Sequence, residues 1–201
     1  ISSFILNIFS RTKRRKAYFY LDRLKNFFNS ILISSLEESA LDIHCKSILF
    51  TLNTPYDSQI LVRAPEYQSF CSLIDLIAPL VPIGYVLLVR EHPAFHGMLN
   101  FSEIKKVLAK YHFVKLVKSS ESISSVIQKS SCVLIINNTS FVDAALHGKP
   151  IISLGRGYFS NSSVTHEAKD LRHLRYLFDN LAKSKLNSVE APARDFQEVL
   201  A

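Results

Sequence analysis

The chain has no glycine-rich phosphate loop. Its five glycines form neither a G-x-G-x-x-G fingerprint nor a Walker loop, so nothing in it points to a dinucleotide or to ATP. It also has no paired cysteines. Cys45, Cys71 and Cys132 are odd in number and far apart, with no C-x-x-C, as expected of buried thiols in a reducing, cytoplasmic compartment. No secretory signal stands at the start, and there is no internal repeat or low-complexity tract. Long hydrophobic runs are missing too. The most apolar stretch, Ile74 to Val89, is interrupted by Asp75, Pro79, Pro82 and Gly84, and its unbroken pieces are too short to cross a bilayer. It reads as helix end, turn and buried strand.

What is present is the composition of a globular protein. An apolar content of 48% with 20% charged residues excludes a disordered chain, and 201 residues suffice for one α/β domain of ordinary size. The net charge of +7 is unevenly placed: residues 1–30 hold Arg11, Lys13, Arg14, Arg15, Lys16, Arg23 and Lys25 against Asp22 alone. A nucleic-acid-binding domain would spread that charge over a folded face, so nucleic acid is not an expected partner. The basic segment, with Phe9, Tyr18, Phe19, Tyr20, Phe27 and Phe28 interleaved, reads as an amphipathic connecting helix. A second reading adds contact with anionic lipid or an acidic polymer. The chain begins at Ile1 rather than Met, which reads either as a fragment, with a partner domain upstream, or as a processed product.

Periodicity predicts one or two helices over residues 1–45, ending near Glu37-Glu38. Strands are predicted at Ser47–Leu52, Tyr85–Val89, Phe113–Val117, Cys132–Ile136 and Ile151–Leu154. Helices are predicted at Tyr67–Leu80, Phe101–Tyr111, Ile123–Lys129 (capped by Ser119 or Ser120) and Phe141–His147, with a polar helical tail from Thr165. Regular strand–helix alternation implies right-handed crossovers and a doubly wound, mostly parallel α/β sheet. Ligands of such sheets bind beyond the carboxyl ends of the strands. The loops that matter are then 53–58, 90–97, 118–122, 137–141 and 155–163.

Three of these loops carry chemistry. In Asn53-Thr54-Pro55-Tyr56-Asp57-Ser58-Gln59, the Asp57 carboxylate can act as base or nucleophile, orient a sugar hydroxyl, or merely cap the next turn. In Arg90-Glu91-His92-Pro93, the proline holds His92 extended at a strand end. There an imidazole can donate to a phosphoryl oxygen or protonate a leaving phosphate, and Arg90 can add a forked donor; a plain surface histidine is the alternative. His96 lies nearby, but an H-x-x-x-H pair lacks a third ligand for zinc. In Asn137-Asn138-Thr139-Ser140, the side chains either cap the next helix or, with its first amides, favour an anion. Gly148-Lys149-Pro150 terminates that helix, and Gly155-Arg156-Gly157-Tyr158-Phe159 is a flexible loop with a cation and two aromatics.

Jointly, Asp57-Ser58-Gln59-Ile60, Arg90-Glu91-His92-Pro93, Asn138-Thr139-Ser140 with Ala144–Pro150, and Leu154-Gly155-Arg156 with Tyr158-Phe159 resemble bacterial capsule polysaccharide biosynthesis proteins. Within these, the likeness is to the β-Kdo transferases that start the lipid-linked capsule linker. The resemblance covers residues 47–167 and implies the C-terminal, Rossmann-like half of a GT-B glycosyltransferase. Residues 1–45 would be a basic helical linker or the end of an N-terminal domain, 46–185 the nucleotide-sugar-binding domain, and 186–201 a tail. It implies Asp57 and His92 as catalytic residues, and Asn53, Ser58, Arg90, Asn138, Thr139, Ser140, Gly155 and Tyr158 as substrate-binding ones. No metal and no cofactor are implied beyond a nucleotide-sugar donor, CMP-Kdo or a similar CMP-sugar. The acceptor would be a lipid-linked or other glycan reached through the upstream domain, at the cytoplasmic face of the membrane; contact of residues 1–30 with that membrane belongs to the second reading of their charge. Asn53 stands where the family usually has glutamine, Phe141 or Val142 where it has glycine, and Asp143 where it has glutamate. Two alternatives remain open: a transferase using a UDP-sugar or CDP-glycerol, and a non-catalytic interaction module of a capsule assembly complex.

Overall fold

Strands that are apolar at nearly every position suit a sheet covered on both faces. The computed structural model, which describes residues 24–54, 69–157, 160 and 164–186, has such a sheet. Its strands are β1 (Glu37–Glu38), β2 (Lys46–Thr51), β3 (Tyr85–Arg90), β4 (Val114–Val117), β5 (Cys132–Ile135), β6 (Ile151–Ser153) and β7 (His166–Glu167). All pairings are parallel, in the order β1-β4-β3-β2-β5-β6-β7. The helices are α1 (24–34), α2 (Phe70–Ile77), α3 (Phe101–Lys110), α4 (Ile123–Lys129), α5 (Ser140–Leu146) and α6 (Leu171–Ala182). The chain winds outward from β2 to β4, returns to place β5 beside β2, and continues outward the other way. That reversal makes the β2–β5 boundary the topological switch point of a doubly wound domain.

The side-chain alternation of β2 shows how both faces are covered. Ile48, Phe50 and Leu52 enter one core, shared with Ile74 of α2, Ile104 of α3 and Phe178 of α6. Leu49 enters the other, shared with Val126 of α4 and Phe141 and Ala144 of α5. A fully buried Leu, Ile or Phe contributes about 1.5–3 kcal/mol, so these two layers hold the sheet rigid at its carboxyl edge. Helix α6 presents Leu174, Leu177, Phe178 and Leu181 at helical spacing, and its first turn is fixed by the Asp170 carboxylate accepting from the His173 amide at 2.7 Å. Helix α5 stops where predicted. Gly148, at φ 59°, adopts the left-handed conformation that a side chain disfavours, and its amide donates to the Ala145 carbonyl.

Several expectations are corrected. Glu37-Glu38 is not a helix end: α1 stops at 34, and these two residues pair with Leu116 and Val117 as edge strand β1. The sheet therefore begins upstream of the expected boundary at 45/46. Neither Ser119 nor Ser120 caps α4; its N-cap is Ser122, whose hydroxyl makes no capping bond. Cys71 and Cys132 are buried as expected, but Cys45 is exposed. Among the described residues, no helix is long and apolar enough to cross a membrane.

Candidate functional site

Register brings the loops together. Thr51 lies level with Arg90 on one side and Ile135 on the other, so the chain leaves β2, β3 and β5 at a common edge. There the buried Asn53 donates from Nδ2 to Asn137 Oδ1 at 2.9 Å. Asn138 donates from Nδ2 to the Thr51 carbonyl at 2.9 Å and to Asn53 Oδ1 at 3.2 Å. Its Oδ1 accepts from the Ser140 amide at 3.2 Å, which sets the start of α5. Three amide side chains thus lock the switch point. They are occupied with one another, so Asn53 and Asn138 act as supports for the rim, and Thr139, which is exposed, and the half-buried Ser140 stand at its surface. Thr139 is the N-cap of α5 yet makes no side-chain capping bond; Asn138 fixes that turn instead.

Asn53 also borders a small hollow, with room for about one water, together with Leu52, Phe70, Glu91, His92, Phe95 and Met98. His92 has the extended backbone expected before proline (φ −69°, ψ 129°) and is exposed. Its Nδ1 accepts from the Ala94 amide at 3.2 Å. In that arrangement the proton of a neutral ring sits on Nε2, which is then a donor directed away from its own turn.

The loop carrying His92 is clamped from two sides, and the sequence reading missed both. The buried Glu91 carboxylate accepts from the amides of Gly97 at 2.8 Å and Leu99 at 2.7 Å. From α1, Asn29 Nδ2 donates to the carbonyls of the same two residues. Burial pushes the Glu91 carboxyl above its ordinary range, and the two amide bonds oppose that rise. Gly97 is required twice over. Its φ of 85° is left-handed, and a Cβ there would lie 2.6 Å from Ser30 Cα of α1. Acidic Glu91 beside His92-Pro93 was visible in the sequence, but only the fold reveals which amides it meets.

Arg90 differs from the expected forked donor. It is buried, and its Nη2 donates to the carbonyls of Ser119 at 2.8 Å and Glu121 at 3.0 Å, so it braces loop 118–122. Gly155 is also buried, its amide donating to the Ile136 carbonyl at 3.0 Å, which ties the ends of β5 and β6. Asp57, Ser58 and Tyr158 lie outside the described residues. His96 does not partner His92: its Nε2 meets Glu37 Oε1 at 3.1 Å. Glu37, Glu91 and His96 offer ligand atoms within 4.8 Å of one another, a spacing that could hold a metal ion. Both Glu91 oxygens are occupied by amides and His96 by Glu37, so the trio reads as a tie between β1 and the His92 loop.

A doubly wound parallel domain with three loops converging on its switch point is the class of protein that fold and site define. The sequence matches the family described as "Capsule polysaccharide biosynthesis protein" over residues 7–188, and the chain belongs to that family. No curated protein matches it. Among solved structures it is similar to the KpsC β-Kdo 2,7-transferase of Thermosulfurimonas dismutans, with 16% identity and a TM-score of 0.50 over 65% of this chain and 43% of that one. The KpsC β-Kdo 2,4-transferase of the same organism gives 12% identity and a TM-score of 0.49, over 88% of this chain and 62% of that one. UDP-GlcNAc 2-epimerase from Neisseria meningitidis gives 14% and 0.47, over 80% and 45%. At these identities the likeness is one of fold, and the chain spans less than two thirds of each of these structures.

Proposed function

We propose that this chain is the nucleotide-sugar-binding part of a glycosyltransferase of capsular polysaccharide assembly, with CMP-Kdo or a similar CMP-sugar as donor. The observation that carries this reading is the meeting of the β2, β3 and β5 loops at the switch point, with His92 exposed there and its Nε2 free of its own turn. Family membership supports the pathway. In the reaction the acceptor hydroxyl, giving its proton to the Asp57 carboxylate as base, attacks the anomeric carbon while the bond to the phosphate oxygen breaks. His92 donates to that oxygen, and the hydroxyls of Thr139 and Ser140 stabilise the departing charge. Asp57 acts at the sugar. Asn53 and Asn138 hold the start of α5 in place, and Arg90 braces the neighbouring loop 118–122. A single leaving phosphate needs few donors, and the candidate loops contain no D-x-D pair, so transfer is proposed to proceed without a metal. The acceptor is a lipid-linked or other glycan at the cytoplasmic face of the membrane.

The test is calorimetry with CMP, CMP-Kdo, a UDP-sugar and CDP-glycerol on the purified chain and on His92→Ala. A hydrogen bond to a charged group is worth about 1.5–3 kcal/mol, so the variant should lose about 10- to 100-fold in CMP affinity. Undiminished affinity removes His92 from the site. Selective binding of a UDP-sugar or of CDP-glycerol moves the donor class, and no nucleotide binding at all favours a non-catalytic module.

A further inference from the structure

Helix α1 is amphipathic the wrong way round. Its buried or half-buried positions are Asn26, Asn29, Ser30 and Ile33, three of them polar. Its outward face is Leu24, Phe27, Phe28, Ile31 and Leu32, spaced i, i+3, i+4, i+7 and i+8 and exposed by 53%, 60%, 62%, 52% and 45%. A helix on a water-facing surface carries the opposite pattern, and five large apolar side chains in one contiguous stripe mark an interaction surface.

We propose that this face lies in the interfacial zone of an anionic lipid bilayer. Charge selects the occupant. The sequence just before the stripe holds Arg11, the run Lys13 to Lys16 and Arg23, Lys25 stands within the helix, and Asp22 is the one acidic residue among them. Basic residues flanking an apolar helical face, with Tyr18, Phe19 and Tyr20 between, match anionic headgroups above and acyl chains below. The surface also has a geometric consequence. Asn29 is bonded to Gly97 and Leu99, so α1 is fastened to the loop that carries His92 and the exposed Phe95. A bilayer-bound α1 therefore holds the His92 loop beside the lipid surface, where an acceptor with a lipid-anchored end would present itself. That last step rests on the transferase reading; the lipid contact itself does not.

Vesicle binding by the full chain, without nucleotide, tests the contact separately from the donor site. The chain contains no tryptophan, so Phe28→Trp introduces a lone reporter. Its emission should shift to the blue with vesicles of phosphatidylcholine plus phosphatidylglycerol, shift less with phosphatidylcholine alone, and return toward the original as salt is raised. In co-sedimentation, Phe27→Asp/Phe28→Asp should weaken binding to the anionic vesicles by more than about tenfold while keeping the wild-type melting temperature, since both rings are exposed. Unchanged emission, equal binding by the double variant, or a wild-type dimer in sedimentation that the double variant dissociates would each overturn the proposal.

Discussion

His92 illustrates how little a catalytic candidate needs from its neighbours in sequence: a strand to end, a proline to hold it extended, and one backbone amide to settle its tautomer. Two further residue-scale predictions follow from surroundings of the same kind. The Cys71 thiol is pushed up to about 11 and the Cys132 thiol to about 12, both chiefly by burial, whereas Cys45 is exposed. A thiol reagent should therefore titrate one group in the native protein near pH 8 and three after denaturation; a second fast thiol in the native state would contradict this burial. Gly97 and Gly148 both have left-handed φ, but only Gly97 has backbone atoms in the way of a Cβ. Gly148→Ala should cost about 1–2 kcal/mol from conformation alone. Gly97→Ala should cost distinctly more, because α1 must also shift. Urea denaturation of the two variants measures the difference.

At the scale of elements, the segment from Glu91 to Leu99 is the piece most dependent on others for its shape. It contains one turn of 3-10 helix, and its end is held by Glu91 within and Asn29 from α1. Glu91→Gln replaces one accepting oxygen by an NH2 group facing an amide, leaving a buried donor without a partner. It should cost about 1–3 kcal/mol and speed hydrogen exchange at Gly97 and Leu99. Glu91 also gives a pH dependence with a definite sign. Its native pKa is raised, so the folded state holds this proton more tightly than the unfolded chain does. The stabilisation it contributes is full below 4.5, the ordinary value, and is lost as pH rises through the raised native one. Denaturation at stepped pH should show that falling component in the wild type and lack it in Glu91→Gln. An identical slope in both proteins would mean the carboxyl is not perturbed.

For the whole molecule, the sheet and its two covering layers act as a rigid frame for the carboxyl edge. Phe178 is fully buried under the sheet, on the face it shares with α2 and α3. Phe178→Ala should lower stability by about 3–5 kcal/mol. It should leave nucleotide affinity unchanged in whatever fraction stays folded, since α6 is not part of the converging loops. A nucleotide that binds the native state alone should raise the melting temperature, by the equivalent of about 2.7 kcal/mol at a hundredfold excess over its Kd. Thermal scans of wild type and His92→Ala with CMP should differ, and scans without CMP should coincide.

The sequence by itself determined the five strands β2 to β6, the helices between them and the end of α5 at Gly148, because each has an apolar pattern or a terminator that water enforces locally. The edge strands β1 and β7 escaped it, since two residues have no period, and Glu37-Glu38 has the charge of a helix surface. The sequence also marked the loops at the strand ends. Only the tertiary structure decided what each residue there does. Arg90, Asn53 and Asn138 all look like ligand groups in the sequence, but strand order sets a carbonyl or another amide within reach of each and turns them into supports. The same packing makes Glu91 and Asn29 into a clamp and turns the apolar face of α1 outward. Burial pattern is a property of neighbours along the chain, whereas hydrogen-bond partners 29 to 87 residues apart exist only once the crossovers have chosen which strands lie side by side.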